Sequence, residues 1–184
     1  LQQLLSNPEL DFPFCVCWAN ENWSRRWDGM NQDILIKQHY SDADDQDFIA
    51  GLMPVLRDSR YIRVNGRPLV LVYRPALLPD ALATTRRWRE ECRNAGVGEL
   101  YLVAVKGLDF LEPEKFGFDA AAEFPPHTVA CPDVTPDVEP IDPKFSGTVY
   151  DFASYIKTRA YLPFAAGKVF RGVMPSWDNT ARKK

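Results

Sequence analysis

Histidine is scarce in this sequence, which has only His39 and His127 among its 184 residues. A Ser-His-Asp or Cys-His catalytic set is therefore not convincing. The glycine-rich elements GxGxxG and GxxxxGKS/T, which cradle nucleotide phosphates, are missing. The cysteines, at positions 15, 17, 92 and 131, show neither CxxC nor Cys/His zinc spacing. We therefore expect no metal and no cofactor in this chain.

Net charge and long apolar runs are also in short supply. A net charge of −3 offers no bulk electrostatic attraction for nucleic acid. No apolar run approaches the roughly 18 residues that cross a bilayer, and no signal peptide is visible. Cys15 and Cys17 are two positions apart on one apolar run and cannot easily bond to each other. We interpret the cysteines as buried free thiols and predict a cytoplasmic protein without a membrane span.

The chain is long enough, at 184 residues, to bury one sizeable core. It begins with Leu1, and its first methionine is Met30, within a polar stretch. We interpret residues 1–184 as an internal fragment of a single catalytic domain in a longer protein. On its own this fragment is expected to be inactive.

Five short apolar runs alternate with helix-like stretches, which predicts an α/β fold with parallel strands. Ser41 can cap one helix, and a later helix over 150–161 is expected to bury Phe152, Tyr155 and Ile156. Right-handed crossovers give either an open doubly wound sheet or part of a closed (β/α)8 barrel. The absence of the glycine-rich nucleotide-binding turns favours the barrel over the open sheet. Because a complete (β/α)8 barrel needs about 250 residues, we expect this chain to form only part of one. The predicted strands cover 12–19, 68–73, 100–105, 119–124 and 169–174, and the apolar runs within the second and fourth are 69–72 and 120–122.

Each apolar run leads into polar or charged residues, and ligands of parallel α/β folds bind at the carboxyl ends of the strands. The first run is followed by NENW (20–23), whose amides and carboxylate can grip hydroxyl groups. Trp23 and Trp27 can stack on the apolar face of a sugar ring. Arg25 and Arg26 can hold an anion or pair with Glu21. The alternative is a surface loop whose tryptophans cover the core.

The later strand ends carry similar groups. Glu123 is suited to acid–base chemistry, or it pairs with Arg74 or Lys106 on neighbouring strand ends. His127 is either a substrate contact or a structural residue of a proline-rich loop. The dipeptide YR (73–74) can bind an anionic or hydroxylated group, and WDN (177–179) repeats the ring, carboxylate and amide of the first cluster.

The combination of Trp, Asn, Asp, Glu and Arg at strand ends suits carbohydrate better than nucleotide, nucleic acid or peptide. The acids of DADDQD (42–47) lie at a helix start, where the helix dipole explains them without a metal. Three functions stay open at this point: an enzyme acting on glycosidic bonds, a noncatalytic sugar-binding barrel, and a scaffold for polysaccharide assembly.

Four motifs in order resemble the WbsX family: CWANENWSRRWDG (17–29), RYIRVNGRPLVLVYRP (60–75), GFDAAAEFPPH (117–127) and GVMPSWDNTAR (172–182). That family is labelled as glycosyltransferases of bacterial surface-polysaccharide loci and is also described as glycoside hydrolase family 99-like. The resemblance implies a (β/α)8 barrel that acts on lipopolysaccharide or O-antigen glycans by glycosyl transfer or by hydrolysis.

The resemblance also implies where the chemistry lies. The glutamates that look like the family's catalytic pair belong to an Asn-Glu-Trp-x-Glu-Gly-like element, which this chain lacks. Glu21, Glu123 and Asp178 are then candidates for supporting roles. The expected substrate-binding residues are Asn20, Asn22, Trp23, Arg25, Trp27, Tyr73, Arg74, His127, Trp177 and Asn179.

Overall fold

Parallel strands run through the part of the chain that the computed structural model describes, which is residues 1–25, 30–106, 112–125, 131–139, 144–160 and 168–178. The strands are β1 (Val16–Trp18), β2 (Trp23–Arg25), β3 (Met30–Ile36), β4 (Arg63–Val64), β5 (Arg67–Val72), β6 (Tyr101–Lys106), β7 (Ala120–Glu123) and β8 (Val169–Phe170). The α-helices are α1 (Gln2–Leu5), α2 (Asp42–Leu56), α3 (Ala81–Asn94) and α4 (Phe152–Ala160).

The main sheet has the order β1-β5-β6-β7-β8, and every neighbouring pair along it is parallel. β4 joins the main sheet by pairing antiparallel with β5, and β2 and β3 form a separate two-stranded antiparallel sheet. The predicted α/β fold with about five parallel strands is therefore confirmed. Closure into an eight-stranded barrel stays a prediction.

The helix starts follow the local rules of capping. The Ser41 hydroxyl accepts a hydrogen bond from the Asp44 N–H at 3.1 Å, as the sequence predicts. Asp80 does the same for α3 through the Ala83 N–H at 2.9 Å. The acids in the first turn of α2 complement the positive end of the helix dipole. These local signals fix where α2 and α3 begin.

The core lies between the sheet and the helices α2 and α3. Trp88 is fully buried and packs against Phe48 and Trp18, with ring centroids 5.1 and 5.8 Å away. Val70 and Leu102 face this cluster from the sheet. Because large aromatic side chains bury the most apolar area, this cluster is the main anchor between sheet and helices.

Two predictions of burial need correction. Of the three apolar residues expected to be buried in α4, Tyr155 is buried, whereas Phe152 and Ile156 are exposed. Among the cysteines, only Cys92 is fully buried, and Cys17 is exposed. All four thiols are unpaired. Burial raises the pKa of the Cys92 thiol to about 12, so this group stays protonated at neutral pH.

Within the described ranges, no helix combines the length and the apolar character needed to cross a membrane. The same ranges hold no group of three or more His, Cys, Asp or Glu side chains arranged to bind a metal ion.

A network of charges closes the amino edge of the sheet. Asp119, just before β7, accepts hydrogen bonds from the Arg67 guanidinium at 2.8 Å, the Arg89 guanidinium at 2.7 Å and the Leu102 N–H at 2.9 Å. Burial works to raise the pKa of Asp119, but these hydrogen bonds and the two cations outweigh it and hold the pKa below its usual value.

We predict that Asp119→Asn destabilises the protein at pH 7 by about 1–3 kcal/mol, because the Arg67 and Arg89 guanidinium groups each lose a charged acceptor. The pKa of Asp119 is lower in the folded than in the unfolded state, so its full contribution to the free energy of unfolding is present above the unfolded pKa of about 4. That contribution disappears as pH falls through the lower folded pKa. Denaturation at several pH values should therefore show wild type and variant converging under acid conditions. Glu90→Gln, at an exposed position of α3, is the matched control. An Asp119→Asn deficit that is independent of pH would contradict the prediction.

Candidate functional site at the carboxyl rim

The residues that follow the parallel strands lie along one edge of the sheet. Trp18 of β1 pairs with Val72 of β5, which places residues 20 and 74 side by side two positions further on. Lys106 of β6 pairs directly with Glu123 of β7. We call this edge the carboxyl rim, defined by Asn20, Glu21, Tyr73, Arg74, Lys106 and Glu123.

Asn20 joins the ends of β1 and β5. Its side-chain Nδ2 donates to the Arg74 carbonyl at 2.8 Å, and its Oδ1 accepts from the Arg74 N–H at 2.7 Å. Its own carbonyl accepts a hydrogen bond from the Tyr40 hydroxyl at 2.6 Å. The residue is fully buried. Asn20 was expected at a strand end of the site, and it is there, but its amide holds protein backbone instead of facing solvent.

Arg74 and Glu21 form an ion pair in front of this junction. Arg74 Nη1 lies 2.7 Å from Glu21 Oε1, and both side chains are partly exposed. The sequence offered Arg25 as a partner for Glu21. In the structure Arg25 forms an ion pair with Asp33 at 3.5 Å. A carboxylate and a guanidinium fixed against each other at a surface present both acceptors and donors to a polar ligand.

Glu123 is held from the far side of the rim. The Gly172 N–H donates to its Oε2 at 3.2 Å. A Cβ on Gly172 would lie 2.4 Å from Pro125 Cδ and 2.8 Å from the Glu123 carbonyl oxygen, so only glycine permits this close approach. The segment after β8 is thereby brought against the end of β7.

Aromatic rings flank the polar groups. Tyr73, just after β5, and Phe124, just after β7, meet edge to face with ring centroids 5.2 Å apart, across the end of β6. Trp23 on β2 and Trp177 after β8 expose 59% and 55% of their surface. Exposed indole rings of this kind are available for stacking on a ligand.

The hairpin of β2 and β3 follows Glu21 directly. Asn22, at its start, accepts a hydrogen bond from the Gln38 N–H at 2.8 Å, which ties the two ends of the hairpin together. The apolar residues 34–36 form the end of β3. Beside the hairpin, an open cleft of about 360 Å³ is lined by Trp18, Lys37, His39, Tyr40, Asp44 and Phe48, among others.

The structure therefore brings together five of the residues expected at the site: Asn20, Glu21, Tyr73, Arg74 and Glu123. Asp178 and Trp177 lie in the exposed segment beyond Gly172. Trp27, His127 and Asn179 fall outside the described residues. The sequence reasoning missed Tyr40 and Gly172. A tyrosine before a helix cap and a glycine after a strand carry no local signal of these long-range contacts.

The strand ends of this α/β protein thus carry a buried amide, a carboxylate, a guanidinium and exposed indole groups, at the edge where parallel α/β sheets usually bind ligands. The whole chain, residues 1–184, matches the family described as Glycosyltransferase WbsX. The chain therefore belongs to the WbsX glycosyltransferase family, which confirms the resemblance seen in its motifs.

Two curated relatives are each described as "Uncharacterized protein WxcX" and come from two strains of Xanthomonas campestris pv. campestris, one of them B100. Each is 43% identical over 183 residues, a match that covers 100% of this chain and 26% of the relative. The chain thus spans about a quarter of the length of these relatives. A solved structure titled "Glycoside hydrolase-like protein" matches 44% of this chain and 25% of its own, at 24% identity and a TM-score of 0.36, a likeness too slight to define the fold.

We predict that Gly172→Ala lowers the free energy of unfolding by about 1–3 kcal/mol, because the new methyl group collides with Pro125 and with backbone. Gly51→Ala is the matched control, since a Cβ there meets nothing within 4 Å. That second change lies inside α2 and should stabilise by roughly 0.5–1 kcal/mol. Chemical denaturation of both variants measures the contrast, and equal effects would contradict the close approach at Gly172.

Proposed function

We propose that this chain forms the sugar-binding middle of an enzyme that acts on glycosidic bonds of bacterial surface polysaccharide, of the lipopolysaccharide or O-antigen type. The observation that carries the proposal is the Asn20 junction with its Glu21–Arg74 ion pair, because it fixes hydrogen-bonding groups at the rim. Membership of the WbsX family supports the same class of substrate.

Each rim group has a proposed task. Glu21 and Arg74 hydrogen-bond sugar hydroxyls, since a carboxylate accepts and a guanidinium donates. Trp23 and Trp177 stack on the apolar face of sugar rings, and Tyr73 shapes the floor between them. Asn20 contributes indirectly, because its buried side chain holds the backbone of Arg74. The remaining proposed contacts are Asn22, Arg25, Trp27, His127 and Asn179.

Cleavage or formation of a glycosidic bond ordinarily uses two carboxylates on either side of it, roughly 5–9 Å apart. Glu21, Glu123 and Asp178 are proposed as supporting acids. We place the principal catalytic pair elsewhere in the full-length protein, which leaves this chain inactive by itself. The relatives are long enough to contain such a pair, because this chain matches 26% of their length.

We further propose that the parallel strands are part of a (β/α)8 barrel in a cytoplasmic protein. The constant strand direction and the clustering of polar groups at the carboxyl edge are what such a barrel requires. The four free thiols suit a reducing compartment.

Hydrolysis and transfer are separated by one assay on the full-length protein. Surface polysaccharide purified from the source organism is incubated with the protein, without any added sugar donor, and new reducing ends are measured. Release of reducing ends without a donor supports a hydrolase. Formation of an acceptor-linked product that requires an added sugar donor supports a transferase. Binding without either reaction would identify a noncatalytic sugar-binding barrel, and no binding at all would favour an assembly scaffold.

We predict that Trp177→Ala in the full-length protein weakens binding of oligosaccharides from that polysaccharide by about three- to tenfold. The loss corresponds to the roughly 0.5–1.5 kcal/mol of an aromatic stacking contact. Titration calorimetry measures the affinity. Phe12→Ala is the control, because Phe12 is an aromatic residue that is at least as exposed as Trp177 but precedes β1 on the amino side of the sheet. Equal losses in the two variants would remove Trp177 from the site.

A further inference from the structure

We propose that Asn20 is a positioning residue, which orients Arg74 and Glu21 for the sugar by gripping the backbone of Arg74. The inference rests on the proposed function, since it assigns how the rim is held in a binding-competent arrangement. It concerns a buried residue that cannot reach a ligand itself.

The Asn20 side chain continues the sheet where the main chain of β1 leaves it. The last regular contact between the two strands is the Tyr73 N–H donating to the Trp18 carbonyl at 2.9 Å. At the next residue of the β5 side, Arg74, the partner is the side-chain amide of Asn20, which both donates to and accepts from the Arg74 backbone. A primary amide has the same donor and acceptor groups as a peptide unit, so it can substitute for one strand residue.

Arg74 is therefore held at two points by two consecutive residues. Asn20 fixes its backbone through bonds of 2.8 and 2.7 Å, and Glu21 fixes its guanidinium at 2.7 Å. Without the first contact, the ion pair can still form, but the strand end that carries Arg74 can move. The direction in which the charged pair faces the ligand then depends on Asn20.

A third element supports the grip from outside. The Tyr40 hydroxyl, on the segment before α2, donates to the Asn20 carbonyl at 2.6 Å. Tyr40 thus sets the backbone of Asn20 in the same way as Asn20 sets the backbone of Arg74. Burial is the main cause that raises the pKa of Tyr40, so its hydroxyl remains a donor through the neutral pH range.

The test uses Asn20→Asp in the full-length protein, with oligosaccharides from the source organism's surface polysaccharide as the probe. Aspartate keeps the shape and the acceptor but places an oxygen against the Arg74 carbonyl, so one hydrogen bond is lost. We expect glycan affinity to fall tenfold or more. Thr84→Val is the matched control. It removes a buried hydrogen bond, from the Thr84 hydroxyl to Asp45 Oδ2 at 2.8 Å, at the contact between α2 and α3. It should lower thermal stability with unchanged affinity.

A double-mutant cycle with Arg74→Ala separates positioning from mere stability. The Asn20 contacts are to the backbone of residue 74 and persist when its side chain is removed. In the Arg74→Ala background, Asn20→Asp should still lower thermal stability but should cause no further loss of affinity. Full additivity of the two affinity losses would overturn the proposal.

The other outcomes are equally decisive. A wild-type protein that binds no glycan defeats the proposed function and this inference with it. A wild type that binds, with affinity lost in Arg74→Ala but intact in Asn20→Asp, defeats the inference alone. If Asn20→Asp does not fold, Tyr40→Phe decides instead. It should fold and lose about threefold in affinity, and unchanged affinity would overturn the positioning role.

Discussion

The parallel register of β1, β5, β6 and β7 determines where each side chain of the rim lies. Because the strands run in one direction and pair without a slip, the first residues beyond each strand meet at the same edge. A shift of one residue would turn every following side chain to the opposite face of the sheet. The ion pair of Glu21 with Arg74, and the position of Lys106 beside Glu123, therefore follow from the backbone pairing of the strands.

Burial gives Asn20 its particular weight in this arrangement. A buried donor or acceptor left without a hydrogen bond costs about 1–3 kcal/mol, whereas each hydrogen bond that is made contributes a net stabilisation of about 0.5–1.5 kcal/mol. Both groups of Asn20 are satisfied by a single residue 54 positions away in sequence. The energetic penalty of any other arrangement keeps the two strand ends in place. The partly exposed ion pair above it gains little stability by itself, since exposed pairs are worth about 0–1 kcal/mol. Its value lies in being presented to solvent in one orientation.

The strands, the helix starts and the residue types of the rim were accessible from sequence because they depend on local patterns. Ser41 signals a cap through its neighbours, and the apolar run before Tyr73 signals a buried strand wherever it lies. The role of Asn20 was not accessible, since a polar residue after a strand has the same local pattern whether it binds a ligand or a backbone. The choice is made by the register with β5. In the same way, the 3.6-residue period of α4 predicts an apolar side, but it does not say whether another element covers that side. Of the three apolar residues expected there, Tyr155 is buried, whereas Phe152 and Ile156 are exposed.

The charges around Asp119 lie at the amino edge of the sheet, opposite the carboxyl rim, and this separation affects how the sequence can diverge in evolution. There the ionised groups neutralise one another and help maintain the folded state. At the opposite edge the exposed tryptophans and the Glu21–Arg74 pair contribute little to folding. Substitutions of these exposed groups can therefore accumulate at one edge of the sheet while the charged network at the other edge continues to stabilise the fold. Such a spatial separation lets related proteins vary the chemistry of this exposed edge without first acquiring compensating mutations.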